Sequence, residues 1–235
     1  MTKKLLSIGV VLVVLSFFVS AASEDARALQ AKGDLERVDF IHYKKAAGGF
    51  GKPARPDACY KLMGVKWSAL PVAYVINPTN PSGLSEAFVI SAVSASAEVW
   101  DAATSKELFN NAVSLDYNAS YGVVDSKNSI VFGTYGNDNV IAVTSIWYSK
   151  RTKQIVEFDM LFNVKYVWGD ATVNSSVMDL QNIATHELGH SVGLSDLYTS
   201  SCSAVTMYGY SSNGETSKRT LEQPDVAGLQ KMYRG

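Results

Sequence analysis

A largely apolar run over residues 5–19, preceded by Lys3 and Lys4 and followed by small residues at 20–22, opens the chain. That order predicts an export signal over residues 1–21. The run is shorter than the roughly 18 to 20 apolar residues a membrane-crossing helix needs, so a retained anchor is the weaker alternative. Residues 22–58 then turn polar, with a short helical pattern around residues 25–38 and a glycine- and proline-rich stretch at 46–53, and read as a pro-segment or linker.

From residue 59 to residue 235 the pattern is that of a folded domain. Residues 71–76 read as a strand closed by Asn77 and Pro78, and Ser85 then stands where a helix N-cap is expected. Behind it Val89, Val93, Ala97 and Trp100 recur at helical spacing, which predicts a helix that lays an apolar stripe on a sheet. Strand patterns follow at residues 113–117, 129–132, 140–148 and 155–162, the last two joined by a charged turn. A strand, a helix and then several strands predict a mixed sheet domain of the α/β or α+β class.

Charge and composition narrow the function classes. Against 22 acidic residues the chain has 21 lysines and arginines, and removing residues 1–21 would take two of those lysines and no acid. No basic surplus is left to neutralise a run of phosphates, so a nucleic-acid partner is not expected. Two cysteines exclude both a cystine-stapled miniprotein and a four-cysteine zinc site. In an oxidising compartment Cys59 and Cys202 would most simply pair, the alternative being two free thiols. Two Asn-x-Ser triplets, at Asn118 and Asn174, are compatible with export and add little.

The chemistry concentrates in residues 176–196. Ser176 and Asp179 resemble a capping-box start and Gly193 a left-handed stop, so one helix is expected between them. Within it His186 and His190 are four residues apart, which stacks both imidazoles on one face, aimed at one point where they can chelate a divalent ion. Glu187 stands about 100° further round, where its carboxylate can reach a water without binding the metal. A catalytic zinc needs a third protein ligand and an open fourth position. Gly193 permits a sharp turn that would bring Asp196 back as that ligand. With 3 histidines in 235 residues, a chance His-Glu-x-x-His is expected at a rate on the order of 0.002.

At these residues the sequence resembles the metzincin metallopeptidases, and among them the matrixins. The stretch from His186 to Leu194 matches their zinc-helix motif, the segment around Met207 looks like their Met-turn, residues 156–163 look like the strand before the zinc helix, and residues 221–233 look like the closing helix. The resemblance implies an α+β metzincin-type catalytic domain: a twisted mixed sheet with a backing helix, a zinc helix, a Met-turn and a C-terminal helix. Two departures stand out. Asp196 holds the place usually taken by a third histidine, as in snapalysin peptidases, with Tyr208 or Tyr210 as fallback ligands. A carboxylate there lowers the charge of the metal centre and shifts the expected activity optimum to alkaline pH. Besides His186 and His190 the chain has only His42, so a second, histidine-built zinc site is not expected. His42 itself is expected to be a solvated linker residue, the sharper alternative being that it covers the zinc in a latent form. The residues around Cys59 do not match the matrixin cysteine-switch context, which favours the disulfide.

The function implied is that of a secreted zinc-dependent endopeptidase with one catalytic Zn2+, in which Glu187 is the general base. Protein or peptide substrates would add as a strand along residues 140–148, contacting Val140 and Val143, with a pocket near Tyr208 and Tyr210. Ca2+ is a family option, although no Asp-rich loop with calcium spacing is present. A monomer is expected, with membrane attachment only if the N-terminal apolar segment is retained. A non-catalytic binding module on the same scaffold would lack a ligand or the glutamate, and neither is missing.

Overall fold

The computed structural model describes residues 33–45 and 59–234. The export signal and the glycine- and proline-rich stretch lie outside the described residues. So does most of the helical pattern at 25–38, and the part that is described is not helical: Leu35–Lys44 forms a strand, β1.

The remaining elements follow in chain order. They are β2 (Val75–Ile76), helix α1 (Glu86–Asp101), β3 (Ser114–Leu115), β4 (Ser129–Gly133), β5 (Val140–Ser149), β6 (Ile155–Asn163), β7 (Trp168–Gly169), β8 (Met178–Asp179), helix α2 (Leu180–Ser191), β9 (Tyr210–Ser211) and helix α3 (Gln223–Met232). Seven strands form one sheet in the order β3-β2-β4-β6-β5-β1-β9, and β7 and β8 form a separate pair. Strands β2, β3, β4 and β6 run parallel, whereas β5 runs antiparallel to β6, and β1 antiparallel to β5. This mixed sheet with helices packed on it is an α+β arrangement.

Ser85 caps α1 as its position suggests, its hydroxyl accepting from the Phe88 N–H. The apolar stripe then does what its spacing requires: Val89, Val93, Ala97 and Trp100 are buried against the sheet and α2. Full burial of one such side chain contributes about 2 kcal/mol. The Trp100 indole N–H also donates to the carbonyl of Thr185 at 2.8 Å, fixing α1 to the residue before His186. The paired strands are shorter than the apolar patterns at 71–76 and 113–117, because only two residues of each hydrogen-bond along a neighbour. Cys59 and Cys202 are joined in a disulfide that ties the start of the domain to the loop after α2.

Candidate active site

Helix α2 is capped by Asp179, whose carboxylate accepts from the Asn182 N–H and is gripped by the Arg219 guanidinium; the helix starts at Leu180, so Ser176 takes no part in the cap. The helix is buried over almost its whole length. It ends where Gly193 adopts φ +101°, and a Cβ there would lie 2.5 Å from the Val65 carbonyl oxygen. No other residue turns the chain so tightly against that neighbour. The turn carries Asp196 back over the helix.

His186, His190 and Asp196 converge. Their facing atoms are 3.1 Å apart between the two histidine Nε2 atoms, and 3.1 and 3.4 Å from Asp196 Oδ1 to His186 and His190. The partners on the far side of each ring decide what these atoms carry. His186 Nδ1 lies 2.7 Å from the Thr206 carbonyl and His190 Nδ1 2.9 Å from the Leu194 carbonyl. Carbonyls only accept, so each Nδ1 carries a proton and donates it, which leaves a bare lone pair on both Nε2 atoms of the neutral rings. Asp196 Oδ1, itself without a hydrogen-bond partner, adds a third. Three lone pairs facing one another repel unless a cation lies between them. Two bonds of 2.0–2.1 Å at a tetrahedral angle span about 3.3 Å, the spacing found, so the donor set fits zinc.

Each carboxylate is positioned through one oxygen and free at the other. The Tyr198 hydroxyl donates to Asp196 Oδ2 at 3.0 Å, and the Thr144 hydroxyl on β5 donates to Glu187 Oε2 at 2.5 Å. Glu187 Oε1 has no hydrogen-bond partner. Burial pushes the Glu187 carboxyl up to about 8, in the range where a carboxylate can take and return a proton near neutrality. For Asp196 burial acts in the same direction, but His190 and His186 outweigh it and hold the group well below the usual carboxylate range. Met207 lies beneath the site, fully buried: a Cβ on Gly189 would collide with its sulfur. The turn that holds Met207 is itself held by Asp225 of α3, which accepts the N–H groups of Thr206 and Met207 at 2.9 and 3.2 Å.

Other expected residues are placed differently. β5 is not a free edge, because β1 covers it, with Tyr43 opposite Val140 and Ile41 opposite Val143. Tyr208 packs in a small cluster with Cys59, Cys202 and Val205, while Tyr210 lies in β9 beside Tyr43. His42 is not a solvated linker residue. It is fully buried, because residues 35–44 add to the sheet as a strand and carry it onto His186, ring centroids 3.9 Å apart. The sequence reading also missed Thr144 and Tyr198. Thr144 sits within an apolar strand where a polar residue on a buried face was the available signal, and Tyr198 follows two residues after Asp196. Among the described residues, side chains of metal-binding type converge in only one other group, His42 with His186 and Glu187.

Comparison with known proteins bears on the family. The family described as Matrixin matches the chain over residues 66–234. Neutrophil collagenase of Homo sapiens is 29% identical over 171 residues, a match that covers 72% of this chain and 33% of that protein.

Proposed function

The chain belongs to the matrixin family, and on that footing we propose that it is an exported zinc-dependent endopeptidase with His186, His190 and Asp196 as metal ligands and Glu187 as general base. The observation that carries this reading is the convergence of His186 Nε2, His190 Nε2 and Asp196 Oδ1 beside a carboxylate with one free oxygen. When bound, zinc would supply Lewis-acid polarisation of the scissile carbonyl and acidify the attacking water. Glu187 Oε1 takes the proton of that water and passes it to the leaving amine, while Thr144 keeps the other oxygen from turning away. An extended substrate would have to take the edge of β5 that β1 now covers, pairing through its backbone along Val140 and Val143, with Tyr210 flanking the pocket. The Cys59–Cys202 disulfide supports export to an oxidising compartment, as does the apolar run at residues 5–19. Among the described residues no helix is long and apolar enough to cross a membrane.

The test is cleavage of an unstructured protein by the full chain with and without a chelator, beside Glu187→Ala. We expect chelator-sensitive cleavage by the wild type and a loss of about 10³-fold or more in the variant, with the metal content of both unchanged. Substantial turnover by Glu187→Ala would remove the glutamate from its role.

A further inference from the structure

Away from the cleft, a concavity of about 370 Å³ opens behind the C-terminal end of α2 and shares no lining residue with the histidines, Glu187 or Asp196. Its size is that of a small-molecule site. The floor is apolar and held in place. The Trp67 indole N–H donates to the Ser191 carbonyl at 2.7 Å and the Trp67 backbone N–H to the Tyr233 hydroxyl at 3.1 Å, which fixes the ring. Val65 is buried beside it, Leu62 stands opposite Leu194 in an antiparallel bridge, and Met232 closes the floor against Gly193.

Three lysines line this concavity and no acidic residue does. Lys66 Nζ donates to the Met232 carbonyl at 3.1 Å and so answers the negative end of α3. Lys153 Nζ lies 5.8 Å from the centre of the Tyr148 ring, and Lys231 Nζ 5.0 Å from that of Tyr60. The salt bridges that lysines form among the described residues belong to Lys127, Lys165 and Lys218, so these three ammonium groups face no carboxylate. An apolar floor beneath uncompensated cations matches a ligand with an apolar body and an anionic head. No arginine fork and no helix N-terminus opens onto the concavity, so it lacks the converging donors that hold a phosphate. One carboxylate suffices for the two lysines that Lys66 leaves over.

We propose that this concavity binds an amphipathic carboxylate, its chain on Trp67, Val65 and Met232 and its head among the lysines, and that occupancy braces the turn carrying Asp196. The wall of the site is the back of that turn. Residues 61–63 run beside residues 193–195, the Met63 N–H donating to the Gly193 carbonyl at 2.9 Å and the Ser195 N–H to the Lys61 carbonyl at 2.8 Å. Between them the Leu194 carbonyl accepts from His190 Nδ1. A ligand packed on Leu62, Val65 and Met232 opposes the local opening through which these N–H groups exchange. The site stands whatever reaction the cleft performs.

The test is calorimetric titration of the full chain with sodium octanoate, beside octanol and octyltrimethylammonium. We expect one saturable site for octanoate. Binding should be at least about tenfold weaker for the neutral and cationic probes, and for octanoate in Lys153→Gln/Lys231→Gln. The variant should keep the wild-type Tm, because both side chains are exposed. At saturation, hydrogen exchange of the Met63 and Ser195 amides should slow by about fivefold or more. Equal binding of octanol and octanoate would reduce the concavity to an apolar crevice and overturn the proposal. So would the absence of saturable binding, or wild-type affinity in the double variant. Octanoate binding with unchanged exchange at Met63 and Ser195 overturns the bracing of the turn.

Discussion

Two pairs of buried acids sit on opposite sides of this sheet, and their hydrogen bonds separate a structural role from a chemical one. On β6, Glu157 accepts the N–H groups of Asp125 and Ser126 at 3.1 and 2.6 Å, one on each oxygen. Asp159 accepts those of Gly122, Val123 and Ser129 at 2.7, 3.3 and 3.2 Å, again using both oxygens. These carboxylates pin the loop between β3 and β4, and because they face N–H donors they are not arranged to hold a cation. In the cleft, Glu187 and Asp196 are equally buried, but each gives one oxygen to a hydroxyl and keeps the other bare. A buried acceptor left bare costs about 1–3 kcal/mol. Such a cost persists where the bare atom has a use.

Removing an acid from each pair should therefore fail in different ways. Asp196→Ala takes one of three ligands, and we expect metal affinity to fall by about 100-fold or more and hydrolysis to vanish, while the fold survives because Asp196 makes no backbone bond among those that shape the turn. Metal titration with a competing chelator, read beside circular dichroism, measures both. A variant that keeps wild-type metal affinity would move the third ligand elsewhere, with Tyr210 or Tyr208 next in line. The next effect is in stability. Asp159→Ala orphans three N–H groups, and we expect it to lower unfolding free energy by about 3 kcal/mol in denaturant titration. The metal affinity of its folded fraction should match the wild type, and a large loss there would mean that the two pairs are coupled.

The difference between the pairs also explains what could be read from the chain in advance. The cleft was legible because its ligands lie within eleven positions on one helix and one turn, and helical geometry converts that spacing directly into a shared face. The strands around it were legible for the same reason, since β4, β5 and β6 carry most of their apolar residues in short local runs. The pinning of the loop by Glu157 and Asp159 was not legible: it joins residues more than thirty positions apart through backbone N–H groups, which leave no mark in side-chain identity. His42 failed for a related reason. Its strand mixes polar and apolar residues without a clean period of two, so His42 reads as solvated. Its place in the cleft depends on β5 having an open edge and on the Ser211 hydroxyl, both far along the chain.

Asp101 sharpens the comparison, because it shows that a bare oxygen alone does not make a site. Its Oδ1 accepts the N–H groups of Leu108 and Phe109 at 2.6 and 3.2 Å, and its buried Oδ2 has no hydrogen-bond partner. No histidine converges on it, and a proton is what the bare oxygen can take as pH falls. Burial, reinforced by Glu107 and Glu98, outweighs the two N–H bonds and pushes the carboxyl from 3.8 up to about 6. An acid whose pKa rises on folding binds more protons in the folded state, so this group favours folding most below pH 4 and progressively less as pH climbs through 6. Between pH 4.5 and 7.5 the loss should come to about 1–2 kcal/mol, or roughly 4 °C in Tm. Asp101→Asn cannot titrate and keeps an oxygen for Leu108 and Phe109. The readout is therefore the difference between the Tm-against-pH curves of wild type and variant, in which the titrations of the cleft cancel. Parallel curves would mean that Asp101 stays ionised and that its second oxygen is served by a bound water, which would set it beside Glu157 and Asp159 as a fully satisfied acid.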